Sequence, residues 1–195
     1  MPKPSLRDAI LDAGLKEMFR TGYHGTSVRD VTAAAGAPQG SFTNHFRSKE
    51  RFASEVLDRY FAQTRSLVAQ ALDDTSLTPR MRLKRYLDII TGRLEADDFL
   101  RGCLIGDLSL EASASSELLR TRLSEIFQEW RGPFAACIAE GQKAGEIASD
   151  FAPEELAEFL LASWQGAILR MKVERGHTPL ERFKTIVFQT VFREL

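Results

Sequence analysis

Apolar residues return at helical spacing along almost the whole chain, while strand signals are nearly absent. Leu11, Leu15, Met18, Phe19 and Gly22 fall at i, i+4, i+7, i+8 and i+11, which is one face of a first helix from about Ser5 to Thr21. There is no sustained period-two run, and no Asn-Gly or Asp-Gly hairpin turn. The expected fold is therefore all-α with about nine helices, without internal repeats or low-complexity tracts.

Glycine, proline and capping residues divide this pattern. Gly22 ends the first helix, since glycine accepts the left-handed cap conformation at little cost. Thr26 or Ser27 caps a short second helix with Val28, Val31 and Ala35 inward, and Ser27 with Asp30 forms a capping box in which Asp replaces the usual Glu. Gly36 breaks that helix. Pro38 opens a third, at a position whose missing N–H would be unpaired anyway. Ser48 caps a long fourth helix carrying Phe52, Val56, Tyr60 and Phe61, which runs to about Leu72 before the polar break Asp73-Asp74-Thr75-Ser76. A fifth helix starts at Thr78-Pro79, a sixth spans Gly102 to Ala114, and a seventh spans Ser116 to Ala144 with a bend expected at Gly132-Pro133. Pro153 opens an eighth with Leu156, Phe159, Leu160, Ser163, Trp164, Ala167, Ile168 and Met171 apolar or small on one side. Gly176 ends it, and Thr178-Pro179 begins a ninth with Leu180, Phe183, Val187 and Val191.

At 195 residues, 44% of them hydrophobic, the chain is long enough for a substantial core. Two cysteines exclude a disulfide framework and a four-sulfur zinc site, and the three histidines have no metal-ligand spacing. No metal or other cofactor is expected. No apolar run reaches the roughly 20 residues of a membrane span. The start Met1-Pro2-Lys3-Pro4-Ser5 leads into an amphipathic stretch with Asp8, Asp12 and Glu17 rather than a secretory signal, so a cytoplasmic location is expected. The net charge of −1 argues against a nucleic-acid partner only as an average, because residues 1–51 sum to +3 and the remainder to −4. A basic head of residues 1–50 precedes an acidic body of residues 51–195.

Within the head, a short second helix, the turn Ala35-Gly36-Ala37 and a short third helix have the spacing of a helix-turn-helix over about residues 27–46. Such a motif needs a third helix with one anchored side and one side free to enter a major groove roughly 12 Å wide. Here Phe42 and Phe46 would anchor Pro38-Gln39-Gly40-Ser41-Phe42-Thr43-Asn44-His45-Phe46. Gln39, Ser41, Thr43, Asn44 and His45 remain for the outer side, and Gly40 allows close backbone approach. Lys49, in the first turn of the next helix, is placed for a phosphate.

Gly22 to Val31, then Ala34-Ala35-Gly36, Gly40-Ser41-Phe42, His45-Phe46 and Ser48-Lys49-Glu50 closely resemble the DNA-binding domain of the TetR family of repressors. The resemblance is dense over residues 5–55. It implies base or groove contacts at Gln39, Gly40, Ser41 and Thr43, and phosphate contacts at Thr26, Asn44, His45 and Lys49. Two positions depart from the family habit, which commonly has Lys at Gln39 and Tyr at Thr43; both changes shorten reach toward phosphate.

The resemblance also implies that the body binds a small molecule and forms a homodimer through its last two helices, with Trp164, Ala167, Ile168, Met171, Phe183, Val187 and Val191 as interface candidates. Monomer core is the competing assignment for the same residues. A dimer would present two recognition helices about one DNA turn apart, hence a palindromic double-stranded operator. The run Arg101-Gly102-Cys103-Leu104 resembles a subset of the family that includes electrophile- and oxidant-responsive repressors. Cys103 at a helix start, with Arg101 beside it and Lys172 as a polar partner, is the sensor candidate. Its competing assignment is a small buried hydrophobe, as read for Cys137 among Phe134, Ala135 and Ile138. Phe99, Leu104, Leu108, Trp130, Phe134 and Trp164 are candidate linings of an effector pocket, with Gln165 or Arg170 for orientation. An enzyme is not expected, for there is no Gly-x-Ser-x-Gly, no phosphate-binding loop, and only His177 in the body to serve Cys103 as a base. The remaining alternative is a helical small-molecule-binding module whose head no longer binds DNA.

Overall fold

In the computed structural model residues 5–193 are described; Met1–Pro4, with Lys3 of the charge sum and the start of the leader reading, and residues 194–195 lie outside them. The described residues form nine α-helices and no strand: α1 (Leu6–Gly25), α2 (Val28–Ala34), α3 (Ser41–His45), α4 (Lys49–Leu72), α5 (Pro79–Glu95), α6 (Leu104–Ala112), α7 (Glu117–Lys143), α8 (Pro153–Glu174) and α9 (Thr178–Gln189).

Most helices begin where capping chemistry places them. Ser5 Oγ accepts from Asp8 N–H at 3.1 Å, Ser27 Oγ from Asp30 N–H at 3.1 Å, and Ser48 Oγ from Arg51 N–H at 3.1 Å. Some boundaries differ from the periodicity: α1 runs past Gly22, a kink at φ +74°, to Gly25, and α6 is shorter than expected, Leu104–Ala112. Pro38 to Gly40 form a turn that hands over to α3 only at Ser41, with Ser41 N–H donating to Pro38 O at 2.9 Å. Pro133 lies inside α7, which is one helix of 27 residues as expected.

The chain gathers into two compact units. The first comprises Met1–Gln63 and Leu104–Ile126, so α6 and the start of α7 fold with the head helices. In it α1 packs on α2 and on α6. Its core holds Ile10, Leu11, Met18, Val31, Phe52, Val56, Leu104, Ile105 and Leu108. Arg59 ties α4 to α1, donating to Asp12 at 2.7 Å and Asp8 at 3.1 Å.

The second unit comprises Thr64–Cys103 and Phe127–Leu195. Here α8 packs along α9, and α5 touches α9. Trp164 meets Phe183 at 5.4 Å between ring centroids, and Tyr86 meets Phe134 edge-on at 4.8 Å. The buried Arg82 guanidinium donates to the last carbonyl of α4, Leu72 O, at 2.8 Å and pairs with Glu140, which satisfies a helix terminus that would otherwise be an unpaired buried acceptor.

Candidate nucleic-acid interface

A five-residue helix has no stability of its own, since nucleation costs more than one turn returns. α3 exists because its inner side is pinned. Phe42 and Phe46, both 3% exposed, meet at 5.2 Å and lean on Phe52 of α4 at 5.1 and 4.9 Å. Three edge-to-face or tilted aromatic pairs of this kind contribute about 0.5–1.5 kcal/mol each beyond their buried area. Gly14 of α1 makes room for the cluster: a Cβ there would lie 2.2 Å from the Phe52 ring. The Arg7 guanidinium covers Phe46 at 5.2 Å.

The turn before α3 is equally determined. Gly36 has φ +63°, and Ala37 N–H donates to Thr32 O at 2.9 Å while Gly36 N–H donates to Ala33 O at 3.0 Å. That pair of bonds is the Schellman closure of α2, and it requires the left-handed residue that glycine supplies. Val31 and Thr32 carry the buried side of α2, whereas Val28 and Ala35 are only half-buried.

With its inner side anchored, the outer side of the motif is free. Gln39, Gly40, Thr43, Asn44 and His45 are exposed and Ser41 is half-buried. Thr43 Oγ1 donates back to Gly40 O at 3.0 Å. Thr26 is placed differently from its neighbours in this set: it is 2% exposed, and its hydroxyl donates to Gly22 O at 2.6 Å. Its side chain holds the α1–α2 turn together and is not a surface group in this conformation.

Lys49 opens α4 half-buried. Its Nζ lies 4.8 Å from the Tyr23 ring centroid and donates to His24 O at 3.3 Å. Burial lowers its pKa, opposed by the negative charge of Glu111. Tyr23 and Glu111 are thus part of the Lys49 environment, which sequence spacing could not disclose because Glu111 lies 62 positions further along. Arg29, Arg47 and Arg51 add exposed positive charge to the head. Among the described residues no group of His, Cys, Asp and Glu could hold a metal ion, and no helix is long and apolar enough to cross a membrane.

The family model for the bacterial regulatory proteins of the tetR family matches residues 10–56, and that for the tetracyclin repressor-like C-terminal domain matches residues 79–187. The chain belongs to the TetR family of bacterial transcriptional regulators. Over 191 residues it is 44% identical to the HTH-type transcriptional repressor DhaR of Mycobacterium sp., covering 98% of this chain and 94% of that one. It is 34% identical to the transcriptional regulator AcuR of Cereibacter sphaeroides, covering 93% and 84%. The crystal structure of a regulatory protein TetR from Rhodobacter sphaeroides superposes with a TM-score of 0.90 at 32% identity, covering 95% and 98%. The reduced form of Escherichia coli NemR gives 0.87 at 25%, covering 97% and 98%.

In this TetR-family body the pocket candidates are core residues. Leu104, Leu108 and Phe134 are 0% exposed, Trp164 1%, Trp130 3% and Cys103 7%, while Phe99 and Lys172 are half-buried. Tyr86, absent from the candidates, is buried next to several of them: its pKa is driven far up by burial and further by Cys103, and drawn down by Trp130. The indole N–H of Trp130 faces the Tyr86 hydroxyl, while the indole N–H of Trp164 and the Gln165 amide nitrogen have no hydrogen-bond partner. Arg170 points away from any interior role, being exposed and paired with Glu174. Arg101 is exposed and pairs with Asp97 at 3.0 Å.

Among the interface candidates Trp164, Ala167, Ile168, Met171 and Val187 are buried within the chain, and Phe183 and Val191 are half-buried. What α8 leaves uncovered is a different set, Phe159, Ala162, Gly166, Leu169 and Val173, spaced i, i+3, i+7, i+10 and i+14, with Ile186 exposed on α9.

Proposed function

We propose that this protein is a homodimeric repressor that reads a palindromic operator with α3 and is released from it by a small-molecule effector or by modification of Cys103. Residues 1–50 form the DNA-reading domain and residues 51–195 the regulatory and dimerisation domain. The observation that carries the reading is α3 itself: a helix too short to stand alone, fixed on one side by Phe42 and Phe46, with Gln39, Gly40, Thr43, Asn44 and His45 exposed on the other. Ser41 completes the base-facing set, and Lys49, with the Thr26 backbone, faces phosphate.

The stripe Phe159–Val173 on α8 supports a second copy of the chain as its cover, because a heptad-like seam with Gly166 and Ala162 at its centre lets two helices approach closely. The candidates Trp164, Ala167, Ile168, Met171 and Val187 are buried within the chain, and Phe183 and Val191 half-buried, so they support that seam rather than form it. Effector capture by a site in the body has support from the buried indole N–H of Trp164, a donor without a hydrogen bond. Lys172 and Cys103 supply the polar and nucleophilic groups of this site. The repressor names of the relatives and the lack of membrane-spanning helices among the described residues support a cytoplasmic regulator.

The test is a salt titration. Replacing Lys49 by Ala should weaken binding to every duplex, by about tenfold at low salt, and make the slope of log K against log salt shallower by about one phosphate contact. Equal affinity and equal slope in parent and variant would remove Lys49 from the interface.

A further inference from the structure

Glu111 sits in the last turn of α6, where the helix dipole disfavours a carboxylate. Its surroundings account for it. The carboxylate Oε2 accepts from His24 N–H at 3.2 Å, and His24 Nε2 lies 2.9 Å from Glu111 O. At Gly22, φ +74°, a Cβ would come within 2.4 Å of Oε1, so the α1–α2 turn has a glycine where the carboxylate lies. His24 O in turn accepts from Lys49 Nζ at 3.3 Å. His24 therefore links the two charged side chains: its N–H holds the Glu111 carboxylate, from a helix outside the reading motif, and its carbonyl holds the Lys49 ammonium.

We propose that Glu111 is a built-in competitor for DNA phosphate at Lys49, a carboxylate held by α6 against the α1–α2 turn that partly neutralises the lysine and limits how tightly the head grips DNA. An operator phosphate must draw the ammonium away from His24 O and from the negative charge held at His24 N–H. Removing the negative charge while keeping the hydrogen bond leaves the turn in place and frees the full positive charge for phosphate. The inference rests on Lys49 facing phosphate, as proposed above.

The experiment uses the full chain and a fluorescent mixed-sequence duplex of about 30 base pairs, because a phosphate contact is independent of sequence. Glu111→Gln keeps an acceptor for His24 N–H and should tighten binding about threefold at low salt, with a steeper salt slope. In a Lys49→Ala background the same Glu111→Gln change should have no effect. Unchanged affinity for Glu111→Gln alone, or equal tightening with and without Lys49, would overturn the proposal. A parent protein that fails to bind the duplex, or a Lys49→Ala variant that binds as the parent does, would overturn both this and the operator reading. A Glu111 effect absent while Lys49→Ala still weakens binding would leave the operator reading standing and remove only the competitor. Thermal melting of each variant, expected to stay cooperative, separates these outcomes from unfolding.

Discussion

Cys137 and Cys103 occupy one helical body with different chemistry. Cys137, 2% exposed in α7, donates its thiol to Pro79 O at 3.4 Å, and burial pushes its pKa from 9.0 up to about 11. The fold favours its neutral form, so the stability it adds is complete below about pH 9 and is lost as pH rises through about 11. Thiolate is the nucleophile, and this cysteine has almost none at neutral pH. Cys103 precedes α6 directly. If Cys103 is the sensor, N-ethylmaleimide releases DNA from the parent and not from Cys103→Ser, while peptide mass spectrometry of the folded protein finds Cys137 unmodified. Release of DNA from Cys103→Ser at the parental rate would discard the sensor. At this scale the sequence disclosed the inner anchors Phe42 and Phe46 and the glycine at 36. The inward hydroxyl of Thr26 was not legible, because a threonine at a helix start serves a cap, a phosphate or a turn with equal local fitness.

At the scale of elements, the helix-turn-helix is a set of mutually dependent pieces. Ser5, Ser27 and Ser48 mark the starts of α1, α2 and α4, and Gly36 the end of α2, because each satisfies backbone groups locally, and local chemistry is what a sequence displays; Gly22 instead kinks α1 from within. The start of α3 was less legible: Pro38 suits a helix start, yet the backbone turns through Gly40 before α3 begins at Ser41. Pro133 inside α7 is the converse, a residue that breaks isolated helices being tolerated in a 27-residue one. Gly36→Ala tests the α2–α3 turn. No atom lies within 4 Å of the added Cβ, so the cost is conformational alone, about 1–2 kcal/mol for a left-handed alanine. Denaturant unfolding should show that loss, and a variant as stable as the parent would mean the turn tolerates another geometry.

At the scale of the molecule, a near-neutral net charge averages a head of residues 1–50 at +2 and a body of residues 51–195 at −3. The linear division at residue 50 is legible in composition, whereas the compact unit that also takes in Leu104–Ile126 depends on contacts between residues far apart in the chain. The same reason hides the partner face of α8. Periodicity names every apolar residue of α8 and α9, and only packing separates the covered Trp164 and Met171 from the open Leu169 and Val173. Leu169→Arg, at a side chain already 51% exposed, should fold normally and sediment as a 21.9 kDa monomer where the parent sediments as a dimer. A variant that still sediments as a dimer would move the interface elsewhere. The most direct measurement is a footprint of the purified protein on the DNA upstream of its own and neighbouring coding sequences. A protected site with two-fold symmetry, its half-sites about 10 base pairs apart centre to centre or a multiple of that, is the expected result. Protection lacking that symmetry, or none at DNA concentrations that saturate non-specific binding, would contradict a dimer reading its operator through paired α3 helices.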